Sequence, residues 1–124
     1  MINELAKQVH ENAKAKGFFD KEKNIGEMLC LIHSEVSEAL EADRNGKYHG
    51  NGNRDVSLLN DILDNLYFQS EYKHYIKGNF EEEMADIVIR VMDLCAFKNI
   101  DLEAHVKAKM RYNSLREYKH GKKY

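Results

Sequence analysis

Two short carboxylate pairs in this chain have the types and spacing to hold a cation: Glu35-x-x-Glu38 and Glu83-x-x-Asp86. A helix turns about 100° per residue, so groups three apart share a face and can grip one ion between them. Four acids from two helices, brought together, repel one another strongly unless a metal neutralises them. Carboxylate oxygens are hard ligands that suit Mg²⁺, with Mn²⁺ as the alternative, and Mg²⁺ held this way commonly serves phosphate chemistry.

Both pairs lie within apolar helical repeats. The stripe Ile25, Met28, Leu29, Ile32, Val36, Ala39 and Leu40 marks one helix, expected over 24–44 with Asn24 as N-cap and Glu27 three residues on. With Ile25 as zero, Glu35 and Glu38 fall about 80° and 140° to one side of that stripe. Met84, Ile87, Val88, Val91, Leu94 and Cys95 mark a second helix over about 80–98. Glu83 and Asp86 lie about 100° and 160° to the same side of it. Packed helices with acids on matching flanks can form a half-buried cleft. Acids beside an apolar stripe are equally what any solvated amphipathic helix shows, so spacing leaves both readings open.

Three further helices complete the reading. One covers 2–16, with Ile2, Leu5, Val9 and Ala13 at helical spacing and Gly17 as its stop. Asn45–Asn53 is a loop by its Asn and Gly content. Arg54–Lys77 reads as one helix, with Val56, Leu59, Ile62, Leu63 and Leu66 inward and Gly78 closing it. Asp101 caps a last helix containing Leu102, Val106 and Met110. A chain of 124 residues without proline, carrying five such stretches, is expected to be a single all-α domain over 1–124, a four-to-five-helix bundle.

Composition narrows the class. Charged residues make up 32% and apolar ones 43%, ordinary for a soluble globular chain. No stretch resembles a signal peptide or approaches membrane-spanning length, so cytoplasm is the expected compartment and no membrane partner is implied. Cys30 and Cys95 lie within helices and suggest no disulfide framework or thiolate site. The net charge of −2 is uneven: residues 107–124 carry +6, leaving −8 for 1–106. That basic tail could draw phosphates to the acidic body, touch nucleic acid, or be a solvated helix end.

Three blocks resemble a known family. Ile32-His-Ser-Glu-Val-Ser-Glu-Ala-Leu-Glu-Ala-Asp-Arg44 and Glu82-Glu-Met-Ala-Asp-Ile-Val-Ile-Arg-Val-Met-Asp-Leu94 resemble the two signatures of the MazG-like, all-α nucleoside triphosphate pyrophosphohydrolases. Lys109-Met-Arg-Tyr-Asn113, then Arg116 and His120-Gly-Lys-Lys123, is similar to the end of small MazG-like proteins. The blocks come in the family's order and cover about half the chain. The resemblance implies a MazG-type bundle, a homodimer or homotetramer, and cleavage of a (d)NTP between its α- and β-phosphates to (d)NMP and pyrophosphate. It implies Mg²⁺ on Glu35, Glu38, Glu83 and Asp86, with Lys109 facing phosphate and Asn113 holding base or sugar. Tyr112 would stack on the base, and Arg116 would meet a phosphate.

The chemistry suits the residues. Water must attack an anion, so metal ions spread the charge, and a carboxylate, Glu35 or Glu38, orients the water or accepts its proton. Lys109 and Arg90, one turn after Asp86, would stabilise charge on the leaving pyrophosphate. Two departures from the family stand out. Ser34 occupies a position where members often carry a further Glu, and the segment at about 45–79 is longer than in compact members. That segment could be a lid, a specificity wall or a subunit contact.

Rival readings have recognisable signs. Gly46-Lys47 is followed by Tyr48 with no preceding strand, so it is no P-loop. Neither Glu35 nor Glu83 has a histidine three residues on, against a redox di-metal bundle. His10, His74 and His105 lack a partner at ligand spacing, His33 and His49 read as surface residues, and His120 could contact phosphate. Within the enzyme class, a narrow dUTP or phosphoribosyl-ATP pyrophosphohydrolase is the alternative. Outside it stands a non-catalytic adaptor whose basic tail binds nucleic acid, although nucleic acid is not the expected partner.

Overall fold

Helix caps written into the sequence set most of the boundaries. The computed structural model describes residues 1–50 and 55–124. Among them lie six α-helices, one 3₁₀ turn and no strand. None of these helices is long and apolar enough to cross a membrane. The chain divides into two compact units, one of residues 1–23 with 91–124 and one of residues 24–90.

In the first unit, α1 (Ile2–Ala15) ends where Gly17 takes φ +85°, a conformation natural to glycine, as the chain turns after the helix. The last helix, α6 (Leu102–Ser114), starts at Asp101, whose side chain accepts from the Ala104 N–H. The two helix starts are laced together. The Met1 ammonium lies 2.6 Å from a Glu103 oxygen, Asn3 Nδ2 donates to Asp101 at 2.7 Å, and the Glu103 N–H donates to Asn3 Oδ1. The second half of α5 (Phe80–Phe97), residues 91–97, adds Asp93, which meets His10 at 2.8 Å. Phe19 packs edge-on to His10 and against Phe97.

The second unit opens with α2 (Ile25–Arg44), where Asn24 accepts from the Glu27 N–H as its spacing predicts. The single helix expected over Arg54–Lys77 is instead two: α3 (Val56–Leu59) and α4 (Asn65–Tyr75). Asp64 causes the restart by accepting the Tyr67 N–H at 2.8 Å, and Asn60 and Asp61 before it favour a turn. The wheel drawn across the break therefore misplaced its later residues: Leu59 is buried, but Leu63 and Leu66 are 96% and 79% exposed. The end of the expected loop, 51–53, and Arg54 lie outside the described residues. After α4, Gly78 at φ +84° leads into α5, whose first half, 80–90, carries the second acid pair.

The buried faces of α2 and α5 also differ from the expected stripes. On α2 the buried line is Met28, Glu35, Ala39 and Ala42, while Leu29, Val36 and Leu40 are each about half exposed. On α5, Glu83, Asp86 and Arg90 are half-buried, whereas Met84 and Val88 are exposed. Both helices thus turn toward their acids. The physical reason is a long-range contact: Glu35 has a cationic partner in Arg90 of α5, so its carboxylate can leave water without an uncompensated charge.

Candidate metal centre

Glu35 and Glu38 lie one turn apart on α2, and Glu83 near the start of α5. One oxygen from each comes within 4.8 Å of the others. The deepest of the three is Glu35, whose Oε1 accepts from Arg90 Nε at 2.6 Å. Arg90 is one turn beyond Asp86 on the same helix, so α5 supplies two acids and the cation that offsets part of their charge.

The protonation pattern follows from this crowding. Burial pushes Glu35 up, but hydrogen bonds with Glu38 and Arg90, then the Arg90 charge, outweigh it and hold Glu35 below its usual range. Glu38 is raised to about 7, first by its hydrogen bond with Glu35 and then by the Glu35 charge. Glu83 is raised by burial and then by Asp86 and Glu82. Asp86 is raised by burial and then by Glu35 and Glu82, with Arg90 opposing. Glu38 therefore holds a proton near neutrality that a cation would displace.

A hard divalent ion fits this donor set. All the ligand atoms are carboxylate oxygens and they converge. Glu38 is raised by its contact with Glu35, and Glu83 by burial first and then by neighbouring acids, while Arg90 supplies only part of what holds Glu35 ionised against its own burial. Glu35, Glu38 and Glu83 would hold such an ion, with Asp86 one turn along. Ser34, just before the first pair, donates to the Leu31 carbonyl at 2.7 Å.

Two neighbours of the centre carried no expectation from the sequence. Glu82, immediately before Glu83, accepts from the Tyr72 hydroxyl on one oxygen and from the Gly78 N–H at 3.0 Å on the other. Tyr72 is kept protonated, first by burial and then by its bond to Glu82 and the nearby acids. A run of three glutamates, Glu81–Glu83, was the one sequence sign that this turn is unusual. Nothing local pointed to Tyr72.

The expected substrate-binding residues lie in the other unit, on and just after α6. Lys109 Nζ sits 4.9 Å from the Tyr112 ring centre and the Arg116 guanidinium 5.6 Å from it. Arg116 also donates to the His120 carbonyl at 3.3 Å. Asn113 Oδ1 is buried with no hydrogen-bond partner among the described residues. Lys109, Tyr112 and Arg116 are therefore gathered around one exposed ring, with Asn113 beside them in sequence. Cys95 is half-buried and its thiol is pushed up by burial, which disfavours the nucleophilic thiolate.

Comparison with protein-family models, curated proteins and solved structures gives no match to this chain.

Proposed function

We propose that this chain is a Mg²⁺-dependent nucleoside triphosphate pyrophosphohydrolase with a MazG-like helical bundle, cleaving (d)NTP to (d)NMP and pyrophosphate. The observation that carries the reading is the convergence within 4.8 Å of Glu35, Glu38 and Glu83, three acids of the two blocks that resemble that family. Such crowding costs stability in a metal-free protein, and a cation-binding role accounts for it.

Bound there, Mg²⁺ would draw charge from the phosphates and make water more acidic. Glu38, one of the three converging acids, would orient an attacking water or accept its proton. Arg90 keeps Glu35 ionised, and its five N–H donors allow the same guanidinium a second contact with the leaving pyrophosphate. On the sequence resemblance, Lys109 and Arg116 take phosphates, and Tyr112 and Asn113 take the nucleoside. The cations around Tyr112 and the Asn113 acceptor, unpartnered among the described residues, support those roles. The half-exposed Leu29, Val36, Leu40, Met84 and Val88 support a homo-oligomer, dimer or tetramer.

The deciding assay is pyrophosphate release from a panel of ribo- and deoxyribonucleoside triphosphates, with Mg²⁺ and with EDTA. Metal-dependent release of pyrophosphate and monophosphate is expected. Release of orthophosphate, or no turnover of any nucleotide, would refute the proposed reaction.

A further inference from the structure

The three residues directly before Glu83 are each fastened to the segment that precedes them. The Phe80 N–H donates to the Lys47 carbonyl at 2.7 Å, and its ring stacks on Tyr48 at 5.0 Å. The carboxylate of Glu81 accepts from the His49 N–H at 3.0 Å. Both oxygens of Glu82 are engaged, one by the Tyr72 hydroxyl and one by the Gly78 N–H. Tyr72 comes from α4, and Lys47, Tyr48 and His49 from the turn after α2.

The geometry points to Lys47–His49 and Tyr72 with Gly78 as a clamp on the start of α5, with Tyr72 a positioning residue that acts through Glu82 to fix Glu83 and Asp86. The inference rests on the metal-centre reading of those two acids. A helix start is where backbone groups lack intrahelical partners and fraying begins, so ligands in the first two turns need external support. Glu82 and Asp86 are four apart and share a face, so the hold on Glu82 is passed along the helix side that carries Asp86. Outer partners that orient metal ligands typically contribute 10–100-fold in metal affinity.

The test is Mn²⁺ binding to the full chain, read as loss of the free-ion electron paramagnetic resonance signal, with thermal unfolding followed in parallel. Tyr72→Phe removes the hydroxyl alone and is expected to weaken Mn²⁺ binding by about tenfold while circular dichroism retains the helix content. Glu82→Gln is expected to weaken binding in the same direction, and the double variant to be no weaker than the worse single one, because the two residues act as a unit. A Tyr72→Phe protein with a lower melting temperature but wild-type Mn²⁺ affinity would overturn the proposal and leave Tyr72 a packing residue. Fully additive losses would overturn action through Glu82. If the wild type binds no Mn²⁺, the metal reading itself falls, and this inference with it.

Discussion

Arg90 Nε lies 2.6 Å from Glu35 Oε1, pairing a half-buried guanidinium with the most buried carboxylate of the acid cluster. The pair explains how α2 can bury an acid in line with Met28, Ala39 and Ala42. Without a cation nearby, Glu35 would either stay in water or take up a proton. The same contact puts Arg90 in the first rank of groups that tune the centre.

Replacing Arg90 by Ala should therefore destabilise the metal-free protein by about 1–3 kcal/mol, less than a fully buried pair because the guanidinium reaches solvent. Saturating Mn²⁺ should restore part of that loss, since an ion that binds only the folded state adds stability in proportion to ln(1 + [L]/Kd). Urea unfolding with and without Mn²⁺ reads both effects. A variant as stable as wild type without metal would remove Arg90 from this role.

Glu38 gives a pH signature. Its carboxyl is raised to about 7 in the folded chain from an ordinary value of 4.5, so between those limits the folded state holds a proton that the unfolded state has lost. Stability from this group is thus present at low pH and declines as pH rises toward and through 7. In EDTA, Glu38→Gln should melt higher than wild type at pH 8, and the gap should close toward pH 5. Equal melting temperatures across that range would show that Glu38 titrates normally.

The break between α3 and α4 has its own test. Asp64 accepts the Tyr67 N–H as the cap of α4, so Asp64→Ala should cost about 1 kcal/mol. Asp64→Asn, which keeps an accepting oxygen, should recover most of it. A helix running unbroken through 60–64 would instead gain from alanine there, so a rise in melting temperature would contradict the capped restart.

Legibility followed the range of the interaction. Asn24, Asp101, Gly17 and Gly78 act on backbone groups within a few residues, and each helix end they mark is where the sequence places it. The break at 60–64 was also written locally, in Asn60, Asp61 and Asp64, but the recurring leucines suggested one continuous wheel. Helical spacing and family resemblance together put four acids, Glu35, Glu38, Glu83 and Asp86, at one centre; the first three lie within 4.8 Å of one another, and Asp86 is not among them. The rotation of both helices toward their acids was not legible, because it depends on Arg90 meeting Glu35 from 55 residues away. Tyr72 and Glu82 are illegible for a related reason: a hydroxyl at one helix and an acid at the next carry no periodic signal.

His10 and Asp93 are another long-range pair with a measurable consequence. They are 83 residues apart and 2.8 Å from each other, with both side chains mostly shielded and Phe19 and Phe97 beside the imidazole. Sequence spacing left His10 without a partner; the packing of α1 against the second half of α5 supplies one. A shielded polar group that loses its partner costs about 1–3 kcal/mol, whereas replacing both partners by apolar groups of similar shape can be nearly neutral. His10→Leu should therefore lower stability to urea by that amount, because Asp93 is left without its imidazole. The double variant His10→Leu with Asp93→Leu should regain most of the loss against the aromatic rings. If the double variant instead loses the sum of the two single changes, the residues are not coupled and the contact adds nothing to the first unit's stability.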